Sequence, residues 1–118
     1  MNERESKIQS KSMKIVRSYG GYIYKNAQNM YTEVGRPDCT ACVPVTIKRL
    51  AEIFGENATI GIFVSMEFKV NEKKYGVTDA QKIVANQIKA AKGLWFAIDD
   101  PDMAEAIMIK LTGGTDAI

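Results

Sequence analysis

The chain has 118 residues, 46% of them hydrophobic, with two cysteines and no histidine. This length and apolar content predict a single domain over residues 1–118 with a hydrophobic core. The absence of histidine excludes nucleases with histidine metal ligands, hydrolases and proteases with a catalytic histidine, and most catalytic zinc sites. Acid–base or metal chemistry must therefore come from carboxylates and lysines.

The charge is unevenly distributed along the chain, although the net charge is only +2. Residues 1–25 carry six basic and two acidic side chains, residues 66–92 carry six and three, and residues 99–118 carry one and five. Such segregation favours a basic face that binds a polyanion. No apolar run approaches the roughly 20 residues of a membrane span, and the polar N-terminus lacks the apolar core of a signal peptide. A cytoplasmic protein is therefore expected.

The first half of the chain predicts a helix, two strands and a second helix. Helical spacing of apolar residues predicts a helix over 4–19 that ends at Gly20-Gly21. Short strands are expected over 21–26 and 38–43, with a loop between them, and a short helix over 45–54. The first helix is expected to have an apolar stripe (Ile8, Ser12, Ile15, Val16 and Tyr19) beside a basic edge (Arg4, Lys7, Lys11 and Lys14). The second helix is expected to have an apolar face made of Ile47, Leu50, Ala51 and Phe54.

The second half of the chain begins with the clearest pattern, a strict alternation over 60–70 that predicts a strand with one wholly apolar face. After a polar turn over 71–76, Thr78 and Gln81 have the spacing of a capping box and open a helix that runs to Lys92 and stops at Gly93. A strand over 94–98 and a helix over 101–111 follow. This order predicts an α/β (α+β) fold, a small mixed sheet flanked by helices.

Cys39 and Cys42 are the only thiols of the chain. A Cys-x-x-Cys pair can mark redox chemistry or half of a zinc site. The chain has no second pair and no histidine to complete a zinc site, although a dimer would pool four thiols. The favoured interpretation is two small buried strand residues in a reducing compartment.

Glu67 and Lys69 lie two residues apart in the alternating strand, so they share one face. A surface ion pair at an exposed sheet edge is the simplest explanation for these two residues alone. Asp38, at the entry to an earlier strand, favours a metal site over a surface ion pair, because it could supply a second carboxylate. A divalent cation held by carboxylates neutralises phosphate charge and generates hydroxide near neutral pH, and Lys69 can position the water or stabilise the developing charge.

The pair Pro37-Asp38 followed by Glu67-Phe68-Lys69 resembles the signature of the PD-(D/E)xK nuclease superfamily. The surrounding sequence is similar to the VRR-NUC branch in the short stand-alone form found in phages. The similar residues are Gly35–Asp38, Val43–Ile47, Gly61–Val64, Met66–Lys69, Thr78 with Gln81, and Gly93 before the last strand. The resemblance covers residues 5–111 and implies a restriction-endonuclease-like αβββαβ core, with Asp38 and Glu67 as metal ligands and Lys69 as the catalytic lysine.

Two further residues match functional positions of that branch. Gln81 matches a glutamine on the helix after the lysine strand, although closing the capping box is an equal alternative and the two roles can coexist. Glu5 matches a glutamate of the first helix, and it falls within the predicted apolar stripe, where a carboxylate needs a partner such as a metal-bound water. A frayed first turn in solvent is the simpler explanation for Glu5.

The chain also departs from that branch at two places. The segment over 48–57 is longer and more helical than the strand-to-strand hairpin of compact members, so the core is expected to carry a short helical insert. Cys39–Cys42 replaces the aliphatic residues that usually follow the aspartate. Both departures leave the metal ligands in place.

The resemblance implies a Mg²⁺-dependent DNA endonuclease, with Mn²⁺ as a substitute metal, that is selective for DNA structure. Members of this kind resemble Holliday junction resolvases, which act as homodimers on branched DNA. Phosphate contacts are expected from Lys25, Lys73, Lys74 and Lys82. The alternatives are a non-catalytic nucleic-acid-binding module of the same fold and a restriction-like nuclease that cuts plain duplex, although so short a chain has little room for a base-reading element.

Overall fold

The computed structural model describes residues 2–29, 34–69 and 76–114. The order of elements predicted from the sequence is confirmed within these ranges, and the fold is a mixed α+β one. The elements are α1 (Glu3–Ser18), β1 (Tyr22–Lys25), β2 (Cys39–Cys42), α2 (Ile47–Phe54), β3 (Val64–Phe68), α3 (Asp79–Ala90), β4 (Leu94–Ile98) and α4 (Pro101–Thr112). Of the predicted turn over 71–76, only Gly76 lies within the described residues.

The strands form two small sheets instead of the single mixed sheet predicted from the sequence. β1 pairs antiparallel with β2, so that Tyr22 lies opposite Cys42. β3 pairs parallel with β4, so that Glu67 lies opposite Ala97. Within the described ranges no ladder joins β2 to β3. The sequence between these two strands contains α2 and a long connection, so no tight turn imposes a register on them.

Side chains and glycines define the helix ends. The Thr46 hydroxyl accepts a hydrogen bond from the Arg49 N–H (3.0 Å) at the start of α2, and Asp100 caps α4. Gly113 adopts a left-handed conformation after α4, where φ is 84°. Such a conformation suits glycine because it has no Cβ, and it ends the helix cleanly.

The predicted apolar stripe of α1 is wrong in its orientation. Met13 is the buried residue of this helix, with Gln9 and Val16 half-buried beside it, whereas Ile8 and Ile15 are exposed. Tyr19, which ends the predicted stripe, is exposed as well. The helix packs on β1, which is only four residues long. Periodicity therefore identified an amphipathic helix but not its buried face.

The apolar face predicted for the third strand is shorter and less covered than expected. The strand runs over 64–68 instead of 60–70, and Phe68 at its end is largely exposed. The best-buried apolar residues of the described chain come from α1, β2, α3 with the turn after it, and β4. They are Met13, Cys42, Ala85, Ile88, Ala91 and Ile98. Four of these six residues belong to α3, to the turn after it or to β4, and α3 packs on β4.

The two sheets meet at Gly93, a buried residue just before β4. A Cβ at this position would lie 2.8 Å from the Cys42 Sγ, 2.9 Å from the Ile88 Cγ2 and 3.1 Å from the Phe63 Cδ1. The Cys42 thiol also donates a weak hydrogen bond to the Ala91 carbonyl (3.5 Å). Because Gly93 has no side chain, the end of β2 and the approach to β3 both touch the start of β4. We call this contact the Gly93 junction.

In the described part of the chain, no helix is both long enough and apolar enough to cross a bilayer. The longest, α1, has 16 residues, several of them charged.

Gly93→Ala is expected to lower the free energy of unfolding by about 1–3 kcal/mol, because the added methyl group overpacks the Gly93 junction. Gly61→Ala is the matched control, since a Cβ there meets nothing within 4 Å. Urea unfolding of both variants measures the difference. Equal stability of the two variants would show that the junction is not tightly packed.

Candidate active site

Glu67 and Lys69 form an ion pair at the carboxyl end of β3. The Lys69 N–H donates to the Ile98 carbonyl (2.8 Å) and extends the pairing of β3 with β4 by one residue. Both side chains therefore leave the same face of the sheet, with the Lys69 Nζ 3.7 Å from the Glu67 Oε1. The Lys69 side chain is 20% exposed and that of Glu67 is 36% exposed. The pair is partly enclosed, unlike the fully solvated pair of a sheet edge.

Gln81 closes the capping box of α3 and also donates a hydrogen bond to Glu67. Its Oε1 accepts a hydrogen bond from the Thr78 N–H (3.0 Å), and its N–H donates to the Thr78 Oγ1 (3.2 Å), which completes the capping box. Its Nε2 donates to the Glu67 Oε1 (2.8 Å). The cap fixes the amide oxygen, so the amide nitrogen is directed towards Glu67. The first turn of α3 thus positions a catalytic carboxylate candidate.

Glu67 is held through one of its two oxygens. Both the Gln81 amide and the Lys69 ammonium approach Oε1. Oε2 accepts no hydrogen bond from the residues that the structure describes. A carboxylate held in this way keeps one oxygen for a further ligand. Glu67, Lys69 and Gln81 are called the β3 triad below.

Asp38 and Glu5 lie together at a second place. They line one cavity of about 300 Å³, together with Ile8 and Gln9 of α1. Asp38 is exposed just before β2, and its carbonyl accepts from the Asn26 N–H (2.8 Å). The Glu5 carboxylate of α1 and the Asp38 carboxylate at the entry to β2 therefore lie at one surface. We call these two residues the α1 pair.

The first turn of α1 is capped rather than frayed. The Asn2 Oδ1 accepts from the Glu5 N–H (2.9 Å), and the Asn2 Nδ2 donates to the Glu5 Oε1 (3.1 Å). Glu5 is exposed, and Asn2 supplies a hydrogen-bond partner for its carboxylate that sequence analysis did not identify. An asparagine three residues before a glutamate has the spacing of an N-cap, which is the signal that was missed.

Asn26 is a second residue that sequence analysis missed. Its side-chain amide donates to the Pro37 carbonyl (2.9 Å) and to the Thr40 Oγ1 (2.9 Å). It thus holds the backbone before Asp38 and the Thr40 side chain after it. A lone asparagine at a strand end gives no sequence signal for this role, because its partners lie eleven or more residues away.

The structure brings together each half of the predicted site but not the whole of it. Among the described residues, no group of three or more carboxylates or thiols converges as a metal site. Asp38 lies four residues before Cys42 and Glu67 four residues after Phe63, and Cys42 and Phe63 both touch the Gly93 junction. Asp38 and Glu67 are thus each four residues along the chain from a residue at the Gly93 junction. The angle between β2 and β3 decides how close they come.

Two of the four lysines predicted to contact phosphate lie within the described residues. Lys25 is exposed at the end of β1, opposite Cys39 and next to the strand that follows Asp38. Lys82 is exposed on α3, one residue after Gln81. Lys73 and Lys74 lie outside the described residues. One described lysine therefore accompanies each half of the site.

Cys39 and Cys42 lie three positions apart on β2, so their side chains leave opposite faces. Their Cα atoms are about 10 Å apart at the usual rise per residue, which is too far for a disulfide. Opposite faces also prevent the two thiols from binding one ion. Cys42 is buried, as expected, and Cys39 is half-buried. Burial raises the pKa of the Cys42 thiol and keeps it protonated.

Comparisons with protein family models, with curated proteins and with solved structures found no match to this chain. The interpretation of the site therefore depends on its residues and their geometry.

A thiol reagent such as Ellman's reagent is expected to modify Cys39 before Cys42 in the native protein, because Cys42 is buried and its pKa is raised. Absorbance should show one faster and one slower thiol, and denaturant should remove the difference. Cys39→Ser should abolish the faster phase and Cys42→Ser the slower one. If neither native thiol reacted without a reductant, the two cysteines would be oxidised and this assignment wrong.

Proposed function

We propose that this protein is a Mg²⁺-dependent, structure-selective DNA endonuclease of the VRR-NUC type, built on a restriction-endonuclease-like αβββαβ core. The observation that carries the proposal is the β3 triad, in which one oxygen of Glu67 is held by Gln81 and Lys69. A surface ion pair does not require a half-buried amide donor from a neighbouring helix, whereas an oriented metal ligand is typically held by such a donor.

The donor atoms present suit a hard divalent cation. Mg²⁺ is typically bound by one or two carboxylates together with water and substrate phosphate, so three converging protein ligands are not required. Asp38 and Glu67 would hold the metal, and Glu5 would contact it through water. The bound metal would supply charge neutralisation at the phosphate and a more acidic water. Asp38 and the free Oε2 of Glu67 offer the hard oxygen ligands for this role, and the chain has no histidine as an alternative.

The residues of the β3 triad have separate roles in this proposal. Gln81 orients the Glu67 carboxylate and leaves Oε2 available. The Lys69 ammonium, 20% exposed, stabilises the charge that develops on the phosphate and orients the attacking water. Partial enclosure strengthens both electrostatic contributions, because little water screens them.

The proposal requires the α1 pair and the β3 triad to face the same phosphate. A hydrogen-bonded β2–β3 pair would complete the four-stranded sheet of the αβββαβ core and would place Asp38 and Glu67 at the same end of it. Isolated two-stranded sheets are only marginally stable, so pairing of the two free edges is favourable. If the two groups stay apart in the DNA complex, the chain would instead be a non-catalytic nucleic-acid-binding module.

The described basic residues give DNA a surface beside the site. The basic edge of α1 is solvent-exposed, and within it Lys7 pairs with Glu3 (3.3 Å). Lys25 and Lys82 are exposed next to the two halves of the site, and Lys73 and Lys74 complete the proposed phosphate contacts. Branched DNA is the proposed substrate and a homodimer the proposed active form, because one site cuts one strand and a four-way junction has two-fold symmetry. A restriction-like duplex nuclease is the catalytic alternative.

Cleavage of labelled four-way, flap, splayed-arm and duplex DNA should require Mg²⁺ or Mn²⁺ and should stop when the metal is chelated. Ca²⁺ should support binding but little cleavage, because its looser coordination activates water poorly. Gel analysis of the products measures both the metal requirement and the preferred DNA structure. Full activity in excess chelator would refute a carboxylate-bound metal, and equal cutting of all four substrates would remove the structure selectivity.

Asp38→Ala, Glu67→Ala and Lys69→Ala should each lower turnover by at least about a hundredfold while DNA binding persists. Lys110→Ala, at an exposed position of α4, is the matched control for Lys69. Gln81→Ala should lower turnover less than these three. Thr78→Ala removes the Thr78 hydroxyl from the capping box but keeps the Gln81 side chain that contacts Glu67. It should lower the free energy of unfolding by about 1 kcal/mol and leave turnover nearly unchanged. If Thr78→Ala and Gln81→Ala had the same turnover, Gln81 would be only a helix cap.

A further inference from the structure

A cavity of about 560 Å³ lies where the ends of α1 and α3 meet the start of β1. The turn after α1 and the first two residues of β1 line one side of it, and the end of α3 lines the other. Among the described residues, no carboxylate side chain lines it. None of its residues belongs to the α1 pair or the β3 triad, so the chemistry proposed above does not use it. We call this cavity the β1 pocket.

Three polar side chains with unused hydrogen-bonding capacity line the β1 pocket: Arg17, Tyr22 and Gln87. Arg17 donates one long hydrogen bond to the Ile23 carbonyl (3.5 Å), and it pairs with no carboxylate in the described part of the chain. Within the same ranges, the Gln87 amide and the Tyr22 hydroxyl make no hydrogen bond. A cavity of this size with a few convergent polar groups is the usual form of a ligand site.

The remaining lining of the β1 pocket is small, apart from Ile23. Gly20, Gly21, Ala90 and Ala91 contribute no side chain or a single methyl group. A Cβ at Gly21 would lie 2.7 Å from the Val16 Cγ1, so the end of α1 packs closely on the start of β1. This close packing keeps Arg17 beside the strand. The small side chains leave room for a flat group next to the Tyr22 ring.

The register of the first sheet connects the β1 pocket with Asp38. The pairing of β1 with β2 begins with Tyr22 opposite Cys42. It continues past both strands through the hydrogen bond from the Asn26 N–H to the Asp38 carbonyl (2.8 Å). Because alternate residues of a strand share a face, Tyr22, Tyr24 and Asp38 lie on one face of this sheet. Four residues of β-strand separate the level of Tyr22 from that of Asp38, which is roughly 13 Å.

Tyr22 and Tyr24 form a short aromatic row on this face. Their ring centroids are 5.8 Å apart, and the ring planes are inclined by 41°. Tyr22 lines the β1 pocket, and Tyr24 is 38% exposed. Tyrosine rings in this position stack the bases of unpaired nucleic acid, whatever the sequence, because every base has a π-face. Bases of an intact duplex stack on each other and do not reach such rings.

We propose that the β1 pocket binds one unpaired nucleotide of the DNA strand that leads to Asp38. The base stacks on Tyr22, the Gln87 amide bonds to its edge, and the Arg17 guanidinium binds its phosphate. An amide offers both a donor and an acceptor, so it suits any base. The absence of a carboxylate from the described lining suits an anionic ligand.

From the β1 pocket the strand passes Tyr24 and the exposed Lys25 towards Asp38. The separation of roughly 13 Å is the rise of about four nucleotides in a stacked strand. This path rests on the proposed function, and it specifies the substrate more closely: branched DNA with an unpaired nucleotide close to the cut.

The test is a binding experiment with the metal chelated, so that cleavage plays no part. NMR spectra of the isotope-labelled parent protein are recorded with deoxyadenosine monophosphate, with a short single-stranded DNA and with a blunt duplex of the same sequence. The nucleotide and the single strand should shift the backbone amides of Gly20, Gly21 and Ala90 and the side-chain amide of Gln87. The duplex should leave these four signals nearly unchanged.

Two variants measure the contribution of the polar side chains by fluorescence anisotropy with the labelled single strand. Arg17→Gln and Gln87→Ala should each raise the dissociation constant at least about fivefold, because each removes one contact to the nucleotide. Both change exposed side chains. Arg49→Gln removes the same charge from α2, and Asn86→Ala shortens the exposed neighbour of Gln87, so these two are the matched controls.

Unshifted pocket signals in the presence of the single strand would overturn the proposal, as would controls that weaken binding as much as the two variants do. Shifts caused by deoxyadenosine monophosphate but not by the single strand would overturn DNA as the occupant. Cleavage assays on the same samples keep the two proposals separate. A protein whose pocket binds the strand but which cuts no DNA would refute only the nuclease, and one that cuts DNA without pocket shifts would refute only the pocket.

Discussion

The close approach at Gly93 is the contact on which the rest of this small structure depends. The absence of a side chain there allows Cys42 of β2, Ile88 of α3 and Phe63 before β3 to meet at one point. Two two-stranded sheets that share no hydrogen bonds in the described ranges are joined at this point. Because α3 also packs on β4, the contact fixes the helix that carries Gln81 relative to the strand pair that carries Glu67.

The β3 triad shows how a local capping motif can serve a distant residue. The oxygen of the Gln81 amide closes the capping box with Thr78, which leaves the nitrogen free to donate. The amide therefore reaches Glu67 in a defined orientation, fourteen residues away along the chain. Lys69 approaches the same oxygen from the strand. Local helix stability and the orientation of the carboxylate are coupled through one side chain.

The structure has a small core and a large exposed apolar surface, and one physical argument connects the two. A chain of about a hundred residues buries a limited fraction of its apolar surface when it folds alone. Here Leu50 and Ala51 of α2 are half-buried, whereas Ile47 and Phe54 are exposed.

Local patterns in the sequence determined the order of the elements, the capping box of α3 and the shared face of Glu67 and Lys69, because these depend on residues a few positions apart. Tertiary structure alone decided which side of α1 is buried, since that depends on non-local packing such as its contact with β1. It also decided that Gln81 donates to Glu67 and that Asn26 holds the backbone before Asp38 and the Thr40 side chain after it. The separation of β2 from β3 into two sheets in the described ranges was not predicted from the sequence either: α2 lies between them, so only non-local contacts such as the Gly93 junction set the angle between the two sheets.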